Sequence, residues 1–227
     1  MSFHEGLDDL GTYYQIRKVD GTTPILFIHG VGLDHSMWSP QTDFFKNQTT
    51  IVYDLIGHGY STCTQNEINF EDFSHQIESL LQILRIQKVI IIGFSLGGLI
   101  AAHFSSTRKH YALKTVLFGT TFNRTNEQQK KAAERFTNVK ETYLNAPQQL
   151  DRWFNQDYLS SHPDIAEKIA NILNNNNHDD FLKSYKLFAY FEDKLIEFKQ
   201  IEAETLVCTA KGDVGSTPDM TNQLGEI

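Results

Sequence analysis

The chain has 227 residues, of which 40% are hydrophobic and 12% aromatic. That is enough for one sizeable core and short for two full domains. Its formal net charge of −8, with no run of Lys and Arg interleaved with aromatic residues, argues against nucleic acid as a partner. The acidic N-terminal residues lack the basic region of a signal peptide, and no apolar run approaches the ~18 residues of a membrane span. We therefore expect a cytoplasmic protein with no membrane partner.

The cysteine content indicates neither a disulfide framework nor a metal site. Cys63 and Cys208 are the only two cysteines, and they lie far apart without metal-ligand spacing. We expect both to be reduced and Cys208 to lie in the core. No metal and no cofactor are expected.

Apolar blocks alternate with helical patterns in the first half of the chain, which is typical of strand–helix units on a mostly parallel sheet. Residues 12–19 alternate at period two and predict an edge strand, while the solidly apolar residues 24–28 predict a central strand. A helix is predicted over residues 70–84 by the spacing of its apolar positions. The remaining strands are predicted at residues 50–55, 89–93, 113–118 and 205–209.

A long stretch without strand patterns separates the last two predicted strands. Residues 122–200 are rich in Asn, Gln, Lys and aromatic residues, and we interpret them as an inserted helical cap. Residues 1–121 and 201–227 would then form the sheet-containing core. The charges of the cap are most simply explained as a solvated face.

One pentapeptide carries the strongest chemical signal. The sequence GFSLG at residues 93–97 fits the G-x-S-x-G pattern, in which a strand ends, turns sharply onto a serine and begins a helix. The flanking glycines Gly93 and Gly97, together with Gly98, leave room for a strained turn. We therefore predict a positive φ at Ser95, with its hydroxyl at the carboxyl end of the sheet. The alternative is an ordinary turn with an inert serine.

A second glycine-containing loop supports this interpretation. After the predicted central strand, Gly30 and Gly32 allow the backbone to curl and turn N–H groups toward the serine. An acyl-transfer transition state carries negative charge on the former carbonyl oxygen, which two such donors stabilise. We assign these donors to the N–H groups of Val31 and Leu96. His29 is expected to brace this loop rather than to react.

Four motifs together resemble the α/β-hydrolase family, in particular its small esterase, lactonase and haloperoxidase-like branch. They are HGVG at residues 29–32, DLIGHGYS at 54–61, GFSLGG at 93–98 and GDVGSTP at 212–218. The resemblance implies an α/β-hydrolase fold, a mostly parallel sheet flanked by helices with a helical cap. It also implies Ser95 as nucleophile, Asp213 as the triad acid and a loop-bracing role for His58.

The position of Asp213 supports a catalytic role independently of the resemblance, and a structural role is the alternative. A predicted strand delivers this carboxylate to a loop at its carboxyl end, where such sheets place their chemistry. The alternative is a turn aspartate next to Gly212, or a cap for the helix that Pro218 begins.

The third member of the triad is missing from the expected place. All nine histidines precede Asp213, whereas the fold's order is Ser, then Asp or Glu, then His. The residues after Asp213 are too few for another helix of ~11 residues and strand of ~5. We therefore expect a C-terminally truncated sheet with an exposed edge. His35, which follows the loop of Val31, is the first candidate for a substitute base.

Two functions remain open on the sequence alone. One is a serine hydrolase of small carboxylic esters or lactones that forms an acyl-enzyme on Ser95. The other is a catalytically impaired homologue or a non-enzymatic binding protein on the same fold. The expected partner is a small molecule, and the sequence does not indicate an oligomeric state.

Overall fold

The computed structural model describes all residues 1–227 and contains one seven-stranded sheet. Its strands are β1 (Ser2–Leu7), β2 (Tyr13–Lys18), β3 (Ile25–Ile28), β4 (Thr50–Tyr53), β5 (Val89–Phe94), β6 (Ala112–Phe118) and β7 (Glu204–Cys208). The helices are α1 (Ser39–Phe44), α2 (Phe70–Ile83), α3 (Leu96–Thr107), α4 (Asn126–Thr142), α5 (Ala146–Trp153), α6 (Gln156–Ser161), α7 (Pro163–Asn174), α8 (His178–Ala189) and α9 (Pro218–Gly225). Short 3-10 helices lie at His35–Trp38, Asp193–Leu195 and Phe198–Gln200.

The strand order places the ends of five parallel strands side by side. The order is β1-β2-β4-β3-β5-β6-β7, with β1, β2 and β4 paired antiparallel and all later pairs parallel. Because parallel strands point the same way, the carboxyl ends of β4, β3, β5, β6 and β7 lie at one edge of the sheet. This arrangement confirms the predicted mostly parallel sheet, and it gathers the loops in which the candidate site residues were predicted.

The prediction that residues 12–19 form an edge strand was wrong. Strand β2 lies second in the sheet, between β1 and β4, and the unpredicted strand β1 forms the edge. The register runs from Ser2 opposite Lys18 to Leu7 opposite Tyr13. Most of the β1 side chains are exposed, so this strand is held by backbone pairing and carries little hydrophobic pattern.

The core lies on the central strands and the helices that cover them. All four residues of β3 and of β4 are buried. Helix α2 begins with a capping box between Asn69 and Asp72, and it buries Phe73, Ile77 and Leu80 against the sheet. Each apolar side chain buried in this way stabilises the fold by roughly 1.5–3 kcal/mol relative to exposure.

Five helices, α4 to α8, occupy the chain between β6 and β7. We refer to them as the helical segment. A small apolar cluster joins this segment to the loop after β3 through Leu33, Leu150 and Leu173. No helix of the structure has both the length and the apolarity needed to cross a membrane.

Strand β7 lies at the second edge of the sheet, paired with β6 alone. Its first three residues are exposed. Cys208 is only half-buried, so the expectation that it lies in the core was wrong. The reason is its place on an edge strand, where one side of the chain has no neighbour. Both cysteines are free thiols in the structure.

Candidate active site

Ser95 lies in the tight turn between β5 and α3. Its φ is 56° and its ψ is −115°, which confirms the predicted positive φ. A non-glycine residue in this region is strained by roughly 1–3 kcal/mol and is held there by its surroundings. The Ser95 N–H donates to the carbonyl of Phe118 on β6 at 2.9 Å. The turn therefore fixes the serine at the carboxyl end of the two strands.

The glycines around Ser95 are required by close backbone approaches. A Cβ at position 93 would lie 2.1 Å from the carbonyl oxygen of Gly97. A Cβ at Gly97 would lie 2.3 Å from the carbonyl oxygen of Ile28, at the end of β3. Any side chain at either position would push α3 away from the sheet.

Two N–H groups beside the serine have no acceptor within the protein. Neither Val31 nor Leu96 donates a hydrogen bond among the loops and turns, as the first N–H groups of a helix commonly do not. A Cβ at Gly30 would lie 3.3 Å from the Cβ of Ser95, so the loop after β3 lies against the serine. Donation by both groups to one oxyanion stays a prediction.

Two buried histidines hold this loop. The Nδ1–H of His29 donates to the carbonyl of Gly30 at 2.8 Å, and its Nε2 accepts from the N–H of Leu55 at 2.9 Å. Nε2 of His58 accepts from the N–H of Gly32 at 2.9 Å. Both rings must be neutral to accept these bonds. Burial lowers the pKa of both, to about 3 for His58, and the pKa of His58 is lowered further because two imidazoles this close cannot both take up a proton without repulsion.

His35 is bonded away from Ser95. Its Nδ1 and its backbone N–H both lie 2.7 Å from Oδ1 of Asp54, and its ring packs against Tyr13 and Tyr60. Burial lowers the pKa of His35, but the hydrogen bond and charge of Asp54 outweigh it and raise that pKa. The same pair gives Asp54 a lowered pKa against the opposing effect of burial. His35 is therefore part of a buried hydrogen-bonded pair with Asp54 and makes no contact with the serine.

The Asp213 carboxylate is held by its own loop. Oδ1 accepts the N–H groups of Gly215 and Ser216, each at 2.8 Å, and Oδ2 accepts the Thr209 hydroxyl at 3.1 Å. Oδ2 would lie 3.6 Å from a Cβ at Gly119, which places the carboxylate near the end of β6. The loop thus brings Asp213 to the same edge of the sheet as Ser95. A turn aspartate with a purely structural role would make the same hydrogen bonds, and this is the alternative that the sequence analysis left open.

The sequence matches a known protein family over most of its length. Residues 23–183 match the family model described as the alpha/beta hydrolase fold. The chain belongs to the α/β-hydrolase fold family. This confirms the resemblance carried by the motifs around residues 29–32, 54–61 and 93–98.

Similar proteins in this family are hydrolases. A curated relative from Acinetobacter baylyi, an (E)-2-((N-methylformamido)methylene)succinate hydrolase, is 29% identical over 203 residues, covering 88% of this chain and 76% of the relative. A hydrolase from Pseudomonas aeruginosa superposes with a TM-score of 0.83 at 18% identity, covering 99% of this chain and 86% of that one. An enol-lactonase from Burkholderia xenovorans superposes with a TM-score of 0.78 at 21% identity, covering 95% and 84%. At these identities the two structures show the α/β-hydrolase fold alone.

In this α/β-hydrolase no histidine is bonded to the serine. The Ser95 hydroxyl forms no cap hydrogen bond with its helix and no bond to any imidazole. His103 is bonded to the hydroxyl of Ser74, two turns away from the site. His162 and His178 bond to carbonyls of the helical segment. The carboxyl edge of the sheet brings together Ser95, the loop of Val31 and Asp213. None of the nine histidines is hydrogen-bonded to the Ser95 hydroxyl.

One surface cavity is far from this chemistry. It measures about 580 Å³ and is lined by Leu81, Lys88 and Tyr111, among others. Lys88 and Tyr111 come just before β5 and β6, so the cavity lies at the amino end of the sheet. It has no contact with Ser95.

Sequence reasoning missed one feature near the site. Asp54 was included in a structural loop motif, but its buried pairing with His35 was not foreseen. The sequence signal for this pairing was the position of Asp54 directly after a buried strand, where a buried carboxylate needs a hydrogen-bonding partner.

Proposed function

We propose that this α/β-hydrolase cleaves small carboxylic esters or lactones through an acyl-enzyme on Ser95. The observation that carries the proposal is the Ser95 turn, with a free hydroxyl beside the acceptor-free N–H groups of Val31 and Leu96. Preorganised donors of this kind act on the negative charge that develops on the carbonyl oxygen.

In the proposed reaction, the Ser95 oxygen bonds to the carbonyl carbon and its proton passes to solvent water, because no side-chain base is bonded to the hydroxyl. The carbonyl oxygen becomes an oxyanion that accepts from the Val31 and Leu96 N–H groups. The C–O bond to the alcohol then breaks, the alcohol takes up a proton, and the acyl group stays on Ser95. Water attacks that acyl group, releases the acid and restores the hydroxyl. Asp213 is the proposed triad acid that would orient an imidazole.

The substrate class follows from the site and the similar proteins together. The named activities of the Acinetobacter and Burkholderia proteins are those of a succinate-derivative hydrolase and an enol-lactonase. We propose that residues 122–200 act as a cap whose apolar residues form one wall of the pocket. Phe94, Trp153 and Met37 pack around the cluster of Leu33 and Leu150 beside the serine turn, which supports a small, partly apolar acyl group.

A second function is favoured by one observation. Ser95 has no bonded base, and the serine hydroxyl is a weak nucleophile without one. A protein that binds an ester or acid without cleaving it would use the same pocket and would tolerate this arrangement.

Covalent labelling with a fluorophosphonate separates the two functions. The wild-type chain is expected to be labelled at Ser95, and Ser95→Ala is expected to lose the label completely. Ser160→Ala, at an exposed serine on α6, is the matched control and should label like wild type. Absence of labelling in wild type, with ester binding retained, would favour the binding protein.

A further inference from the structure

The carbonyl of Gly32 receives its hydrogen bond from the helical segment. Gly32 is buried in the loop after β3 that carries Val31. Nδ2 of Asn176, in the turn between α7 and α8, donates to this carbonyl at 2.8 Å, and no backbone N–H reaches the same oxygen. A buried carbonyl without a donor costs free energy comparable to a lost hydrogen bond. The contact with Asn176 therefore favours one direction of this peptide group.

The turn that carries Asn176 is fixed at both of its ends. The N–H of Asn175 donates back to carbonyls of α7, and the side chain of Asn177 accepts an N–H at the start of α8 at 3.1 Å. Nδ2 of Asn176 also donates to the carbonyl of Ile172 at 3.1 Å. Because the neighbours on this side are carbonyl oxygens, the amide atom that faces them must be the nitrogen. One side chain thus joins the end of α7 to Gly32.

Three side chains hold three successive peptide groups of this loop. The first group contains the Val31 N–H and is held by His29, the second is held by His58, and the third is held by Asn176. The two histidines belong to the sheet-containing core. Asn176 is the member of this set that comes from the helical segment, so the loop is held from both sides.

Gly32 is the point at which the loop can turn. Its φ is 79°, in the left-handed region, and glycine has other conformations open to it at little cost. A Cβ there would lie 3.2 Å from Cδ2 of Leu173 and 3.5 Å from the ring of Phe181, so the helical segment packs directly against this residue. The hydrogen bonds on the two sides of Gly32 select its conformation. Loss of the Asn176 bond would free the peptide groups around Gly32 to rotate, and the Val31 N–H with them.

We propose that Asn176 is a positioning residue that holds the Val31 N–H in the direction required of an oxyanion donor. The inference rests on the proposed function of Ser95 and adds a requirement to it. The donor is in place only while the turn between α7 and α8 is docked on the loop after β3. The helical segment then contributes to the chemistry of Ser95 as well as to the wall of the pocket. A residue that only capped the end of α7 would leave the loop unaffected.

Hydrogen exchange of the Gly32 amide, followed by NMR, tests the contact without any reaction. Exchange should be faster by at least about tenfold in Asn176→Ala, because the loop opens more often when one of its holding bonds is lost. Asn175→Ala is the matched control, since it removes an exposed side chain of the same type from the same turn. It should exchange like wild type. If Asn176→Ala does not fold, Asn176→Leu, which has nearly the same shape and no donor, carries the test.

The first turnover of p-nitrophenyl acetate tests the positioning. Loss of one oxyanion donor costs roughly 10²–10³ in rate, so a misdirected donor should slow p-nitrophenol release at saturating ester by about tenfold or more. The half-saturating ester concentration should change by less than about twofold, because the oxyanion exists only in the transition state. Asn175→Ala should keep both values.

Three results would each overturn the proposal. They are an unchanged Gly32 exchange rate in Asn176→Ala, an unchanged rate of p-nitrophenol release, and a loss that lies in the half-saturating concentration alone. The role of Ser95 is judged separately, from wild type against Ser95→Ala. If those two release p-nitrophenol alike, the proposed function fails, and the exchange of Gly32 alone decides whether Asn176 holds the loop.

Discussion

His58 supports the site by holding the backbone of the loop that carries Val31. Its Nε2 accepts the N–H of Gly32, which requires a neutral ring. Burial and the neighbouring His29 lower its pKa from 6.5 to about 3. The unfolded chain therefore takes up a proton at His58 below pH 6.5, while the folded chain does so only near pH 3. The free energy of unfolding falls as the pH falls through this window.

Replacing His58 with Gln should flatten that pH dependence. One proton taken up only by the unfolded chain changes the free energy of unfolding by about 1.4 kcal/mol per pH unit. Urea unfolding between roughly pH 4 and pH 6 measures the slope, which should be smaller in His58→Gln than in wild type by about this amount. His75→Gln, at an exposed histidine on α2, should keep the wild-type slope. The same slope in His58→Gln and wild type would show that His58 is not neutral in the folded chain.

Imidazole added to the solution should restore part of the missing base. A positioned general base contributes roughly 10²–10⁴ in rate, and Ser95 has no imidazole bonded to it. We expect imidazole to raise the Ser95-dependent hydrolysis of p-nitrophenyl acetate by more than about tenfold, after subtraction of the rate that Ser95→Ala shows at the same imidazole concentration. A gain that is equal in the two proteins would mean that free imidazole acts on the ester without the serine.

At the scale of elements, the close packing of the turn between β5 and α3 requires glycine, because there is no room for a side chain at position 97. A Cβ at Gly97 would meet the Ile28 carbonyl at 2.3 Å, whereas one at Gly212 would meet nothing within 4 Å. Gly97→Ala should therefore destabilise the fold by about 1–3 kcal/mol, as overpacking in a filled site does. Gly212→Ala should change the free energy of unfolding by less than about 0.5 kcal/mol. Denaturant unfolding of both variants provides the comparison, and equal stability of the two would contradict the close approach.

The elements that the sequence predicted are those whose signals are local. The buried strands, the β5–Ser95–α3 turn and helix α2 all show their pattern within about fifteen residues. Strand β1 was missed because exposed strands carry no apolar alternation, and its existence depends on a partner further along the chain. The pair of Asp54 and His35 depends on which elements pack together. Such contacts between distant segments leave no pattern in either segment alone.

At the scale of the whole molecule, Arg124 joins the helical segment to the sheet. It connects Thr121, just after β6, to the carbonyl of Phe188 near the end of α8. Burial lowers the pKa of Arg124 to about 10, so it stays charged at neutral pH. Arg124→Met should leave the Phe188 carbonyl without its donor and destabilise the helical segment by about 1.5–3 kcal/mol.

Hydrogen exchange of α8 tests that expectation, because local opening reports the stability of the segment itself. Exchange of α8 amides should quicken in Arg124→Met, while amides of β3 and β5 should change much less. Arg85→Gln, which removes an arginine from the opposite end of the sheet, should leave α8 unchanged. If β3 and β5 exchange as fast as α8 in Arg124→Met, the arginine supports the whole fold rather than the contact of the helical segment.

The central claim is that Ser95 is the residue that carries the acyl group. Intact-protein and peptide mass spectrometry after incubation with p-nitrophenyl acetate tests it most directly, because a serine without a bonded base should be slow to release the acetyl group. The account predicts one acetyl group on the peptide that contains Ser95 in wild type, and none on that peptide in Ser95→Ala. Hydrolysis of the ester with no acetyl group on Ser95, at a rate unchanged in Ser95→Ala, would contradict it.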